Sequence, residues 1–318
     1  MSKKILCSLL SFVLAFSMCG FDFAERDGVI TKAHVYKVLP GSDEWKQMTA
    51  EERYASCFIS AEEVSRMTTK ALLETIINYP YLCDLYAYGS FEDGVKYVSM
   101  YFPALVEFLT RTDANIVLQQ SVNKIDTLDN ENSLELEDFV VIDLLSYIEG
   151  LEEDPVPDAE ISATNATVYT PNGTAVKVVK DKTWVSHLTT KARADAATQR
   201  YTEAYPNVVV AQTMSDPAYN CHSHAWYSGA LNNKYWMDDP SAYMKDGSYR
   251  SSTAKAGNVI TYHDSKNSSA IHSGVCTSDG RVVSKWGYCG RMLHNKEDCP
   301  YYKASLLTTT TLKYWEKN

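Results

Sequence analysis

Cys221 stands in the run Tyr219-Asn220-Cys221-His222-Ser223-His224-Ala225-Trp226-Tyr227, just past a turn-like Ser215-Asp216-Pro217-Ala218. His272 follows in the apolar, strand-like stretch Ile271-His272-Ser273-Gly274-Val275. A thiol attacks only as the thiolate. A helix start lowers its pKa through unpaired N–H groups and the helix dipole. An imidazole beside it can take the proton and return it to a leaving group. The same N–H groups can hold the oxyanion of a tetrahedral intermediate. This chemistry calls for a helix from Cys221 to about Leu231, docked on a sheet by Trp226 and Tyr227. Two other uses of these residues stay open. Cys221 can be a buried or disulfide-bonded cysteine. Cys221, His224 and His272 can be zinc ligands, with His222 pointing elsewhere on a helix.

The elements around the pair follow a fixed order. After Asn220-Cys221-His222-Ser223-His224 come Gly257-Asn258-Val259-Ile260-Thr261-Tyr262 and then His272-Ser273-Gly274-Val275. A turn at Ser278-Asp279-Gly280 leads into Arg281-Val282-Val283-Ser284. Residues 219–294 resemble the NlpC/P60 and related permuted papain-like cysteine hydrolases. Those families open a helix with the cysteine and place the base at the head of a second strand. The resemblance implies an α+β, papain-like domain with an antiparallel sheet. It also implies amide-bond hydrolysis, with Cys221 as nucleophile and His272 as general base. Ser284, or His294 from the following segment, would orient that base. Peptides, and peptidoglycan stem peptides first, would be the substrates, with no metal or organic cofactor required. In place of the usual Cys-Ser-Gly stands Cys-His-Ser, and the orienting position falls at Ser284 or Lys285. The rival from another class is a binding module that keeps this fold without turnover.

The chain has 318 residues, 45% of them hydrophobic and 22% charged, which is room for about two domains. A net charge of −10 with no basic cluster excludes a nucleic-acid binder, and gives no cause to expect an anionic membrane surface as partner. Lys3 and Lys4 followed by an apolar run from Ile5 to about Met18 read as a secretory signal over residues 1–24. The run is too short to span a membrane comfortably. The expected location is therefore extracellular or the cell envelope, where disulfides are permitted. Cys57 with Cys83, and two among Cys276, Cys289 and Cys299, are near enough in sequence to pair.

Residues 25–150 read as a helical domain. Ser60-x-x-Glu63 is a capping box, with Val64, Met67, Ala71, Leu72 and Ile76 on one face. Ser90-x-x-Asp93 starts another helix, which Pro103 interrupts. Further helices are expected near 113–122 and 133–149. From Asp126 to Glu160 there are thirteen acidic residues and no basic one. The acidic, Pro-containing stretch 151–162 marks a linker. Residues 163–318 make the second domain. It begins with a hairpin turning at Pro171-Asn172-Gly173 and continues with a helix over 190–204. An aromatic loop over 232–249 would wall the cleft, and an outer strand near 308–312 would close the domain.

Overall fold

The computed structural model describes residues 28–125, 134–150, 164–183, 188–212, 215–263, 269–302 and 311–318. The signal segment expected over 1–24 and the linker expected over 151–162 lie outside the described residues.

The N-terminal part is helical, as its caps foretell. Ser60 accepts from the Glu63 backbone N–H and opens α3 (Ala61–Arg66), after α1 (Asp43–Gln47) and α2 (Ala50–Ser56). A second cap, Thr68, restarts the chain as α4 (Thr69–Ile77). The run read as one helix is thus two, because a side-chain acceptor at Thr68 offers the backbone a fresh start. The residues expected on its inner face, Val64, Met67, Ala71, Leu72 and Ile76, are all buried. Ser90 caps α5 (Phe91–Val98), and Pro103 is the first residue of α6 (Pro103–Thr110), where its missing N–H costs nothing. Next are α7 (Ala114–Ile125) and α8 (Leu136–Glu149), the latter closed by Gly150 at φ 65°.

The rest is built on antiparallel strands. β1 (Thr164–Tyr169) and β2 (Ala175–Lys180) form the expected hairpin, and α9 (Leu188–Ala204) follows. A small sheet has the order β1-β2-β4, with β4 at Tyr235–Trp236. The large sheet has seven strands in the order β3-β9-β8-β7-β6-β10-β5. These are β3 (Val209–Gln212), β5 (Tyr249–Ser252), β6 (Val259–His263), β7 (Ala270–Cys276), β8 (Val282–Lys285), β9 (Arg291–His294) and β10 (Thr311–Lys317). The last strand is not an outer one: it lies between β6 and β5 and pairs with both. A short helix, α10 (Ser241–Lys245), interrupts what reads in sequence as one long loop.

Register fixes what each face of the large sheet carries, because neighbouring residues on a strand point to opposite sides. Tyr262 lies opposite His272, Thr261 opposite Ser273, Ser284 opposite Met292, and Lys285 opposite Arg291. The first face carries Ile260, Tyr262, Cys276, Val282 and Met292, and these join one buried core with Trp45, Leu72, Phe102, Leu144 and Tyr201. That core runs unbroken from the N-terminal helices into the sheet. On the opposite face Val259 joins a second cluster with Trp226, Met237, Tyr243 and the hairpin valines Val168, Val176 and Val178.

Buried polar contacts tie the halves together. Arg53 pairs with Asp298, Trp45 donates to the Ala204 carbonyl, and Tyr205 donates to both Asp84 oxygens. Tyr301 donates to the Ala87 carbonyl while Tyr88 donates to that of Pro300, a reciprocal clasp between adjacent residues on each side. Gly287, at φ 48°, admits this close approach: a Cβ there would stand 2.3 Å from the Tyr88 carbonyl oxygen. No helix among the described residues is long and apolar enough to cross a membrane.

Candidate functional site

Cys221 opens a short helical segment, as the turn before it requires, but the segment is not the helix to Leu231. After Cys221 and His222 it continues as a π-type turn over Ser223–Tyr227 and stops. Asparagine side chains explain both ends. Asn220 Oδ1 accepts from the backbone N–H of Ser223 and of Met237, at 3.1 and 3.2 Å. Asn233 Nδ2 donates to the Ser228 carbonyl at 2.8 Å and to Ser223 Oγ at 2.9 Å, closing the segment from below. Side chains that satisfy backbone groups in this way compete with helix propagation.

The segment rests on β7 through Ser273. Trp226 Nε1 donates to Ser273 Oγ at 2.9 Å, and His222 Nδ1 lies 2.8 Å from the same oxygen. Two further anchors come from β8 and β9. Lys285 Nζ donates to the Asp216 carbonyl at 2.9 Å, and Arg291 donates to Tyr219 Oη at 3.1 Å. Burial pushes the Cys221 thiol up to about 11, against the lowering pull of backbone groups at Ser273 and His222 and of the Lys285 charge. This reverses the expected depression of its pKa. With 8% of its surface exposed, the thiol is too desolvated for so short a helical segment to compensate.

His272 is adjacent in sequence to Ser273 and therefore leaves the strand on the other face. It is wholly buried, and neither ring nitrogen has a hydrogen-bond partner among the described residues. Its ring stacks on Tyr301, with centroids 3.5 Å apart and planes 6° from parallel, and Tyr262 lies 5.4 Å away. Burial holds His272 well below the ordinary imidazole range, reinforced by neighbouring His294, His222 and His224. No hydrogen bond joins Cys221 to His272 in this arrangement.

Ser284 and His294, each expected to orient His272, are brought to one another instead. His294 lies on β9. Its Nδ1 donates to the Asn295 carbonyl at 2.7 Å, so its Nε2 is the acceptor facing Ser284 Oγ at 2.8 Å. Trp286 Nε1 donates to the same hydroxyl at 2.9 Å. This Trp-Ser-His chain matches the Trp226-Ser273-His222 chain on the opposite face. Every group in it is fully buried, and burial lowers His294 to about 4. His222 is lowered to about 4 and His224 to about 3, burial being the main cause in each.

The alternatives are also resolved geometrically. Among the described residues no three of His, Cys, Asp and Glu gather to hold a metal ion, so Cys221, His224 and His272 are not a ligand set. Cys57, Cys83, Cys221, Cys276, Cys289 and Cys299 are all free and buried, so neither expected disulfide is formed.

Sequence reading missed the parts played by Ser273, Lys285, Arg291 and Tyr301. The alternation of β7 carried a signal for Ser273, since one of two neighbours must face the cysteine. Tyr301 had none, because its place depends on the clasp with Ala87 and Tyr88. The described residues form an α+β protein of helices and antiparallel sheets. No family model, curated protein or solved structure matches the chain.

Proposed function

We propose that this chain is a cysteine hydrolase of papain-like type acting on an amide bond, held here in a closed resting arrangement. Cys221 is the nucleophile and His272 the base. Peptides of the peptidoglycan stem type are the first substrates to try. One observation carries this reading: Cys221 opens a helical segment laid directly on β7, the strand that bears His272. That is the layering the family resemblance requires. His272 lies on the sheet face opposite the Cys221 segment, so turnover needs a rearrangement that frees its ring from Tyr301 and brings it to the thiol. The leader-like composition of residues 3–18 supports an activity outside the cell or in its envelope.

A second reading has its own support. A thiol raised to about 11 with no hydrogen-bonded base fits a module that binds without turnover. One assay separates the two. Purified protein and its Cys221→Ala variant are incubated with peptidoglycan fragments and peptide amides, and released amines are counted. Hydrolysis that disappears in the variant supports the enzyme. Hydrolysis that survives unchanged refutes Cys221 as nucleophile. Binding of the same fragments by both proteins, with no amine released, selects the second reading.

A further inference from the structure

Strand β2 carries Val179 and Lys180 past Trp236 and Tyr235 on β4, and the chain then doubles back over the tryptophan it has just passed. The reversal is made at Asp181, whose φ of 54° is the one positive φ outside glycine among the described residues. L side chains rarely adopt that conformation, and it persists where the surroundings hold it. The Asp181 N–H donates to the Lys234 carbonyl at 2.9 Å, and its carboxylate pairs with Lys180 and Lys234 at 3.4 and 3.6 Å. This turn lays Lys182 between two rings. Lys182 Nζ stands 4.0 Å from the centre of the Trp236 ring and 4.6 Å from that of Tyr288, and it donates to Tyr288 Oη. The rings are 4.9 Å apart and inclined by 34°, two walls around one ammonium. Exposed Asp238 accepts from Trp236 Nε1 at 2.9 Å and sets a carboxylate at the edge of the indole. Aromatic faces attract ammonium groups through the ring quadrupole, and a carboxylate beside them adds to the selection for positive charge. Lys182 is only half-buried, so the recess it fills opens to solvent.

Both walls are tied to the segment that leads into Cys221. The Asn220 side chain donates to the Met237 carbonyl at 2.7 Å and accepts from the Met237 N–H at 3.2 Å, next to Trp236. The Asp216 N–H donates to the Tyr288 carbonyl at 3.0 Å. We propose that the Trp236–Tyr288 recess is a binding site for the ammonium of a basic peptide side chain, and that Lys182 is a built-in occupant which an incoming ligand displaces. The site goes beyond the hydrolase reading and stands whether or not Cys221 turns over. No covalent bond changes: one ammonium replaces another on the same rings. Release of Lys182 also lets Asp181 leave its left-handed conformation, which offsets part of the cost of giving up the internal contact.

The test is a binding measurement on the full chain. Protein labelled with 15N at tryptophan and 13C at lysine is titrated by NMR with Nα-acetyl-lysine methylamide, and with neutral Nα-acetyl-norleucine methylamide as control. The Trp236 indole signal is assigned by its loss in Trp236→Phe, and the Lys182 signal by its loss in Lys182→Gln. In wild type the Lys182 ε protons should lie upfield, shielded by the two rings, and move towards the free-lysine position as acetyl-lysine is added. In Lys182→Gln the dissociation constant read at the Trp236 indole should fall by about tenfold, because a tethered competitor has been removed. Norleucine should move neither signal. Equal affinity in wild type and Lys182→Gln, a Lys182 signal that stays shielded throughout the titration, or an equal response to norleucine would overturn the proposal and leave Lys182 a structural brace. The wild-type titration decides the matter by itself if Lys182→Gln fails to fold. No readout involves Cys221, so failure of the hydrolase and failure of the cation site are told apart.

Discussion

Acidification from pH 7 to pH 5.5 should remove a large part of this protein's stability, and four histidines set the size of the loss. His222, His224, His272 and His294 are buried, and burial lowers each: His222 and His294 to about 4, His224 to about 3, and His272 well below its ordinary value. In the unfolded chain they take protons near pH 6.5. Between those limits the unfolded state binds more protons than the folded one, so stability rises with pH and is lost as pH falls below about 6.5. A single imidazole kept neutral by the fold contributes roughly 1 kcal/mol of that loss between pH 7 and pH 5.5. Four contribute about 4 kcal/mol, against a typical total of roughly 5–15 kcal/mol. Asp246 and Asp279, held at about 2 by hydrogen bonds from Thr170 and Thr277, act in a separate window at lower pH. Urea unfolding followed by tryptophan fluorescence at four pH values reads the slope directly. His294→Gln should remove about a quarter of it, whatever the variant's own stability. A change of less than about 1 kcal/mol across the window would refute the claim that the fold buries four neutral imidazoles.

Two other outcomes follow from contacts described above. Asp298→Ala strands the buried Arg53 guanidinium and should cost about 3–5 kcal/mol in urea unfolding. Because the core is continuous, the transition should stay single, and a biphasic curve would refute that continuity. Gly94→Ala places a Cβ 1.9 Å from the Leu85 carbonyl oxygen, a backbone atom that cannot swing aside. The variant should lose about 3 kcal/mol, and a melting temperature equal to wild type would contradict the close packing of α5 on residues 82–86.

Much of this architecture was legible because local chemistry decides it. Ser60, Ser90 and Pro103 start helices where capping and a missing N–H require, and Pro171-Asn172-Gly173 turns a hairpin. The strands around Asn258, His272 and Val282 pair in the expected sequence. What stayed hidden depends on a parity or on distant partners. Whether His272 or Ser273 faces the cysteine turns on a single-residue register, and a bulge between the His263–Ala270 and Tyr262–His272 pairs helps set it. The early end of the Cys221 segment depends on Asn233, and Tyr301, the cover over His272, is held by Ala87, 214 positions before it. Cysteine spacing invited disulfides that the positions of the buried thiols do not form.

The insertion of β10 between β5 and β6 bears on how the chain is made. Strands β5 and β6 are synthesised some fifty residues before the strand that joins them. Until residues 311–317 emerge, β5 has no partner and β6 presents a bare row of backbone donors and acceptors, a template for pairing with other chains. The large sheet cannot close before residues 311–317 emerge, so its closure is a long-range event of the kind that slows folding. A protein built this way should depend on holdase chaperones during synthesis more than its finished stability would imply, and deleting residues 311–317 should turn a folded product into an aggregating one.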